Sequence, residues 1–179
     1  MTQLCNRWEV DTLKQNKTWF SEQVLSLEPG LYALAMSYMK QDADALDCMQ
    51  QSILKAYEKL DTLQAPDKFR PWLYGILVNC CRDELRKRGR TMSLEDRNGE
   101  DPVPEPSVSF ETKAVLWAAV QRLPEPFRTL LILFYYEDLP TEDIALAMEE
   151  KPATVRKQLE RARAKLRAEL EREGFHYDG

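Results

Sequence analysis

The chain has 179 residues, 44% of them hydrophobic and 31% charged, with 30 acidic against 25 basic side chains and a formal net charge of -5. That is enough apolar material for one domain or two small ones. No apolar run nears the roughly 20 residues of a membrane span, and MTQLCNRWEVDTLKQNK has no secretory apolar core, so a cytoplasmic protein is expected. One histidine (His176), four cysteines without framework spacing (Cys5, Cys48, Cys80, Cys81) and six scattered glycines argue against a His-rich metal centre, a Ser-His-Asp triad, a disulfide scaffold and a Gly-rich phosphate loop. Neither an enzyme nor a cofactor is expected.

Few glycines and few β-branched runs predict an all-α chain. A first helix around Thr18–Leu27 is expected to stop at Pro29-Gly30, followed by a helical apolar stretch, Leu31–Lys40. Next, Leu46, Met49, Ile53, Ala56, Tyr57 and Leu60 recur at three- and four-residue spacing and predict the inner face of a helix over Ala43–Leu60. Asp47, Gln50, Gln51 and Lys55 fall on its other side. The turn DTLQAPDK offers Asp67 as an N-cap, with Pro71 tolerated in the first turn of a helix over Phe69–Arg88. Phe69, Trp72, Leu73, Ile76, Leu77 and Cys80 are its expected inner face, and it ends in the basic run RDELRKRGR.

The stretch from Thr91 to Thr112 holds Pro102, Pro104, Pro106, the pair Asn98-Gly99 and mostly acidic charge. It reads as an acidic Pro-rich linker, with a structured surface loop as the alternative. The expected organisation is an N-terminal extension (1–20), a helical domain (21–90), the linker (91–112) and a second helical domain with a short tail (113–179). That second domain reads as four helices: Lys113–Arg122, Glu125–Glu137, Thr141–Glu149 and Pro152–Arg172. Prolines at 124 and 140 punctuate the first two joins. A short helix, a three-residue turn and a longer basic helix make a helix-turn-helix.

In the last helix, Val155, Leu159, Ala162, Leu166 and Leu170 form one apolar stripe, leaving Arg156, Lys157, Glu160, Arg161 and Arg163 towards solvent. Long cations there suit a major groove, where Arg takes guanine in a bidentate way and Lys neutralises phosphate. The alternative is an ordinary solvated face with pairs such as Arg156–Glu160. A second cluster, Lys68, Arg70, Arg82, Arg86, Lys87, Arg88 and Arg90, lies near Trp72 and Tyr74, a combination that suits single-stranded or partly opened DNA. For Trp72, core packing beside Phe69 and Ile76 is the favoured role. Two small basic faces on an acidic body predict weak DNA binding until another body holds both in place.

Together DALDCMQQSILKAYEKLD, KFRPWLYGILVNCCRDELRKRGR, AVQRLPEPFRTLLILFYYEDLPTEDIALAM and ATVRKQLERARAKLR resemble the extracytoplasmic-function group of bacterial sigma factors, over roughly Val24 to Glu171. The resemblance implies a promoter-specificity subunit for a stress or envelope regulon, monomeric when free. Its implied partners are core RNA polymerase, promoter DNA and a cognate anti-sigma factor, with no insertion into a membrane. It also implies roles for individual residues. Asp44, Asp47, Gln50, Gln51 and Lys55 would dock on polymerase. The turn Asp61–Lys68 with Lys68, Arg70, Tyr74, Asn79, Arg82, Asp83, Arg86 and Lys87 would recognise and melt the minus-ten element. Thr154, Arg156, Lys157, Glu160, Arg161 and Arg163 would read the minus-thirty-five duplex.

Four departures from that family stand out. Glu149-Glu150 replaces a usual Gly-apolar pair in the turn, which argues for an altered turn. Glu160 replaces an aromatic residue or His, and Gln51 a usual Glu. The residues before Phe20, Trp8 and Trp19 among them, have no family counterpart; a disordered extension, an added helix and a regulatory contact all stay open. A stand-alone helix-turn-helix regulator and a helical adaptor without promoter recognition are the rival readings.

Overall fold

The computed structural model describes residues 17–91 and 111–174. The expected extension up to residue 16, nearly all of the linker, Cys5 and His176 lie outside the described residues. The described residues form α-helices with no strand, as an all-α chain requires. They are α1 (Lys17–Met39), α2 (Asp42–Glu58), α3 (Phe69–Thr91), α4 (Glu111–Arg122), α5 (Phe127–Leu131, continuing as a π turn over Ile132–Tyr136), α6 (Thr141–Met148) and α7 (Pro152–Arg172). The chain divides into two compact units.

In the first unit α1, α2 and α3 pack against one another pairwise. The expected break at Pro29-Gly30 is absent: α1 is one helix through Pro29. A helix-interior proline costs about 3 kcal/mol, through the lost N–H bond and the clash with the carbonyl four residues back. That carbonyl belongs to Leu25, which like Pro29 is exposed, so water can serve it. Leu31, Leu34, Ala35 and Tyr38 are buried in the second half. At about 1.5–3 kcal/mol per large apolar side chain, their burial exceeds the proline cost. The first half is held by an aromatic cluster: Trp19 and Phe20 meet Phe69 edge-on at 5.1 and 5.7 Å, and Phe20 meets Tyr57 at 5.3 Å. Trp19, expected in an extension, is thus part of this unit.

The α1–α2 corner turns at Lys40 (φ 61), and the Tyr32 hydroxyl donates to Asp42 at 2.5 Å. The inner face of α2 is rotated from the expected one. Ala45, Cys48, Met49, Ser52 and Ala56 are buried, whereas Leu46 and Ile53 are half-buried and Tyr57 is exposed. Small side chains allow the neighbouring helices to approach closely, and Ser52 satisfies its hydroxyl on the Met49 carbonyl (2.7 Å). Between α2 and α3 two 3-10 turns, Leu60–Thr62 and Pro66–Lys68, are anchored by buried Leu60 and Leu63. Asp67, expected as an N-cap, lies inside the second turn, whose N-cap is Ala65.

In the second unit α7 packs on α4 and α5 through Val155, Leu159 and Ala162, with Leu166 and Leu170 half-buried. The single helix expected over Glu125–Glu137 is a short α-helix widened into a π turn, closed by the Glu137 N–H on the Ile132 carbonyl (3.0 Å). After α6 the chain turns at Glu149 with φ 56. The Glu150 N–H bonds the Ala145 carbonyl (2.9 Å) and the Glu149 N–H that of Leu146 (3.3 Å), the paired bonds of a Schellman C-cap. The turn expected to be altered by Glu149 is therefore the left-handed one normally given to glycine, occupied by glutamate at a cost of roughly 1–2 kcal/mol. Pro152 at the first position then starts α7.

Candidate nucleic-acid interface

Three outward faces carry the residues singled out by the sequence. On α2, Asp47, Gln50, Gln51 and Lys55 are exposed along one side. Leu54 lies among them and is 64% exposed, a residue missed by sequence reasoning. The signal was available: a leucine on a polar face is a candidate anchor for a partner. Asp44 is not free on this face. It accepts from Arg88 at 2.6 Å across to α3, and this hydrogen bond holds its carboxyl below the usual carboxylate range. The same guanidinium donates from Nε to Glu84 at 3.1 Å.

On α3, Asn79 and Arg86 are exposed, with Arg82 and Asp83 half-buried beside them. Their three- and four-residue spacing places them on one stripe, which Trp72, seven residues before Asn79, extends. Trp72 is half-buried, its ring 5.9 Å from that of Phe69. Tyr74 is 0% exposed and belongs to the core, which corrects its placement on the DNA-facing surface. Five residues, about 140° around a helix once whole turns are removed, separate it from Asn79. The aromatic on the basic face is thus Trp72. Positive charge here is tempered: Arg86 lies 3.2 Å from Asp83, and Lys87 3.9 Å from Glu84. Lys68, at the foot of the helix, lies 3.9 Å from Asp67, and Arg70 is half-buried.

On α7, Lys157, Glu160 and Arg161 are exposed without an ion pair among the described residues, and Thr154 is half-buried beside them. Arg156 lies 3.6 Å from Glu142 at the start of α6 rather than against Glu160. Both partners are more than half exposed, so the pair contributes at most about 1 kcal/mol and can be exchanged for phosphate. Arg163 is turned the other way. Its Nε donates to the Tyr135 hydroxyl at 2.9 Å, and its guanidinium lies 5.3 Å from the Phe134 ring centre and 5.8 Å from that of Tyr135. Lys165 covers Phe127 similarly at 5.4 Å. Farther along, Arg122 of α4 is clamped by Glu169 (3.7 Å) and Glu173. The outward polar and cationic surface of α7 is therefore its first part, from Thr154 to Arg161. Among the described residues no group of His, Cys, Asp and Glu is arranged to hold a metal, and no helix is long and apolar enough to cross a membrane.

The family described as Sigma-70 region 2 matches residues 24–91, and that described as Sigma-70, region 4 matches residues 113–166. The chain is 35% identical over 150 residues to the RNA polymerase sigma factor SigV of Bacillus subtilis, covering 79% of this chain and 85% of that one. It is 30% identical over 176 residues to the ECF RNA polymerase sigma-E factor of Haemophilus influenzae, covering 90% and 93%. The chain belongs to the extracytoplasmic-function sigma factors. As a sigma factor it is a promoter-specificity subunit of RNA polymerase, within a family of non-catalytic initiation factors. Among solved structures, the sigma factor RpoE of Bartonella quintana, crystallised with the anti-sigma factor NepR, superposes with a TM-score of 0.69 at 26% identity. That superposition covers 85% of this sigma factor and 96% of RpoE.

Proposed function

We propose that the outward face of α2 (Asp47, Gln50, Gln51, Leu54, Lys55) docks on core RNA polymerase. The α3 stripe from Trp72 to Arg86, with the two 3-10 turns before it, recognises and opens the minus-ten element. The first turns of α7 read the minus-thirty-five duplex. The observation that carries this reading is the intact helix-turn-helix corner. Glu149 adopts the left-handed conformation with Arg156, Lys157, Glu160 and Arg161 outward, which supports a working reader in spite of the departures from the family's turn sequence. Glu160 suits a cytosine, whose N4 amino group donates to a carboxylate.

In this reading the chain supplies no catalytic group, polymerase forms every phosphodiester bond, and the protein acts in the cytoplasm. Likeness to RpoE, solved with NepR, supports a cognate anti-sigma factor as the inhibitor. Run-off transcription with purified core polymerase and genomic DNA, followed by start-site mapping, tests the assignment. A defined set of starts preceded by two shared elements is expected. Tight specific binding by the free full-length chain would favour a stand-alone regulator, and holoenzyme that opens no promoter would favour an adaptor.

A further inference from the structure

We propose that Arg88 is a positioning residue for promoter opening, acting through its bridge to Asp44 to fix the DNA-facing end of α3 against the start of α2. The role rests on the sigma reading given above. Among the described side chains of α3 the last buried one is Cys81, and Arg88 stands seven residues later, about 10 Å along the helix at 1.5 Å per residue. Two turns of α3 therefore project past the apolar core, and those turns carry Arg82, Asp83, Arg86 and Lys87. A helix end without lateral support swings and frays. Arg88 supplies such support: Nη1 donates to Asp44 in the first turn of α2 at 2.6 Å, and Nε donates to Glu84 of its own helix at 3.1 Å.

The two bonds use the fork geometry of the guanidinium. Glu84, one turn back, sets its direction, and Asp44 takes the remaining edge. All three side chains are about one-fifth to one-third exposed, so the pair is shielded better than a surface ion pair. With two carboxylates bonded to it, the Arg88 cation has no uncompensated positive charge to offer a phosphate, which separates it from the cations on the DNA-facing stripe. Asp44 in turn stands one helical turn before Asp47, on the helix proposed to touch polymerase. The bridge thus joins the two functional helices of this unit at the ends where both are used.

The test exploits a difference of sign. Removing an acid close to a DNA-binding surface normally raises DNA affinity, because phosphate repulsion falls. If Asp44 works through Arg88, Asp44→Asn lowers promoter opening instead. Full-length wild type, Asp44→Asn, Arg88→Ala and Arg88→Lys are each assembled with core polymerase on a promoter whose start was mapped with wild-type holoenzyme. Opening is read from permanganate reactivity of unpaired thymines, core affinity by competition, and folding by thermal melts. Asp44→Asn and Arg88→Ala are expected to bind core within about twofold of wild type and to lower the opened fraction roughly tenfold, as losing a charge-assisted hydrogen bond implies. Arg88→Lys, able to keep one of the two bonds, falls between. Lost core affinity in Asp44→Asn returns Asp44 to the polymerase-docking surface and overturns the role. Unchanged or increased opening in Asp44→Asn overturns it too, and a defect confined to the Arg88 variants means that Arg88 touches DNA itself. A wild-type holoenzyme that opens no promoter overturns the sigma reading, and this role with it.

Discussion

Replacing Tyr74 by alanine should destabilise the first unit rather than disarm it. Tyr74 is 0% exposed, among the largest of the fully buried side chains. An aromatic side chain buries about 150–250 Å², worth about 4–6 kcal/mol at 25 cal/mol per Å². Measured aromatic-to-alanine changes in cores cost about 3–5 kcal/mol, a large share of a domain's 5–15 kcal/mol. A loss of that size lowers the melting temperature of a unit this small by roughly 15 °C or more. Trp72→Ala provides the contrast. Trp72 is half-buried on the stripe with Asn79 and Arg86, so its loss should cost about 1–2 kcal/mol of stability while removing a stacking surface worth about 1–3 kcal/mol per base. Urea and thermal melts followed by far-UV circular dichroism, beside permanganate footprinting of the holoenzyme, separate the two. Tyr74→Ala melting at the wild-type midpoint while failing to open promoters would refute the reasoning, because it would place the ring on the DNA side.

Leu54→Ala should weaken core polymerase binding about tenfold with an unchanged melting curve, since an exposed apolar anchor contributes to an interface and not to the free fold; competition pull-downs with Asp47→Arg as a companion read this. Arg161→Ala should lower affinity for the upstream duplex and reduce the salt slope by about one, whereas Arg163→Ala, spent on Tyr135 and Phe134, should leave the slope unchanged and lower stability by about 1 kcal/mol. The depressed Asp44 carboxyl gives an acid dependence of definite sign. Its stabilisation is complete above the unfolded value near 3.8 and is lost as pH falls through the lower folded value, so in melts from pH 6 to pH 3 the acid decline should be shallower in Asp44→Asn than in wild type.

The second unit's helices were legible because prolines at 124, 140 and 152 mark three of the helix joins or starts and the α7 stripe repeats cleanly. The break expected at Pro29 failed because a local penalty was set against burial contributed by two other helices, which no local pattern records. The inner face of α2 was misplaced for a related reason. Ala45, Cys48 and Ser52 carry little hydrophobic signal, yet they are what lets the neighbouring helices come close. Tyr74 was misplaced because apolar residue types alone do not fix the phase of α3, whereas Trp72 does pack beside Phe69 as expected, half-buried rather than in the core. Residue types at the candidate site were legible, but their partners were not. Asp44 with Arg88 and Tyr135 with Arg163 are 44 and 28 residues apart, and only the folded chain brings them together.

In the proposed reading, the diversion of Arg163 onto its aromatic shelf limits how much sequence α7 can inspect. Thr154 to Arg161 is eight residues, about 12 Å of helix at 1.5 Å per residue. Base pairs stack every 3.4 Å, so, placed in a major groove, that length faces about four consecutive base pairs. Four positions occur by chance about once in 256 base pairs, too often to mark a promoter alone. On the proposed roles, a bipartite code follows from the arithmetic: the information missing from α7 would come from the bases met by α3, and from the spacing that polymerase imposes between them.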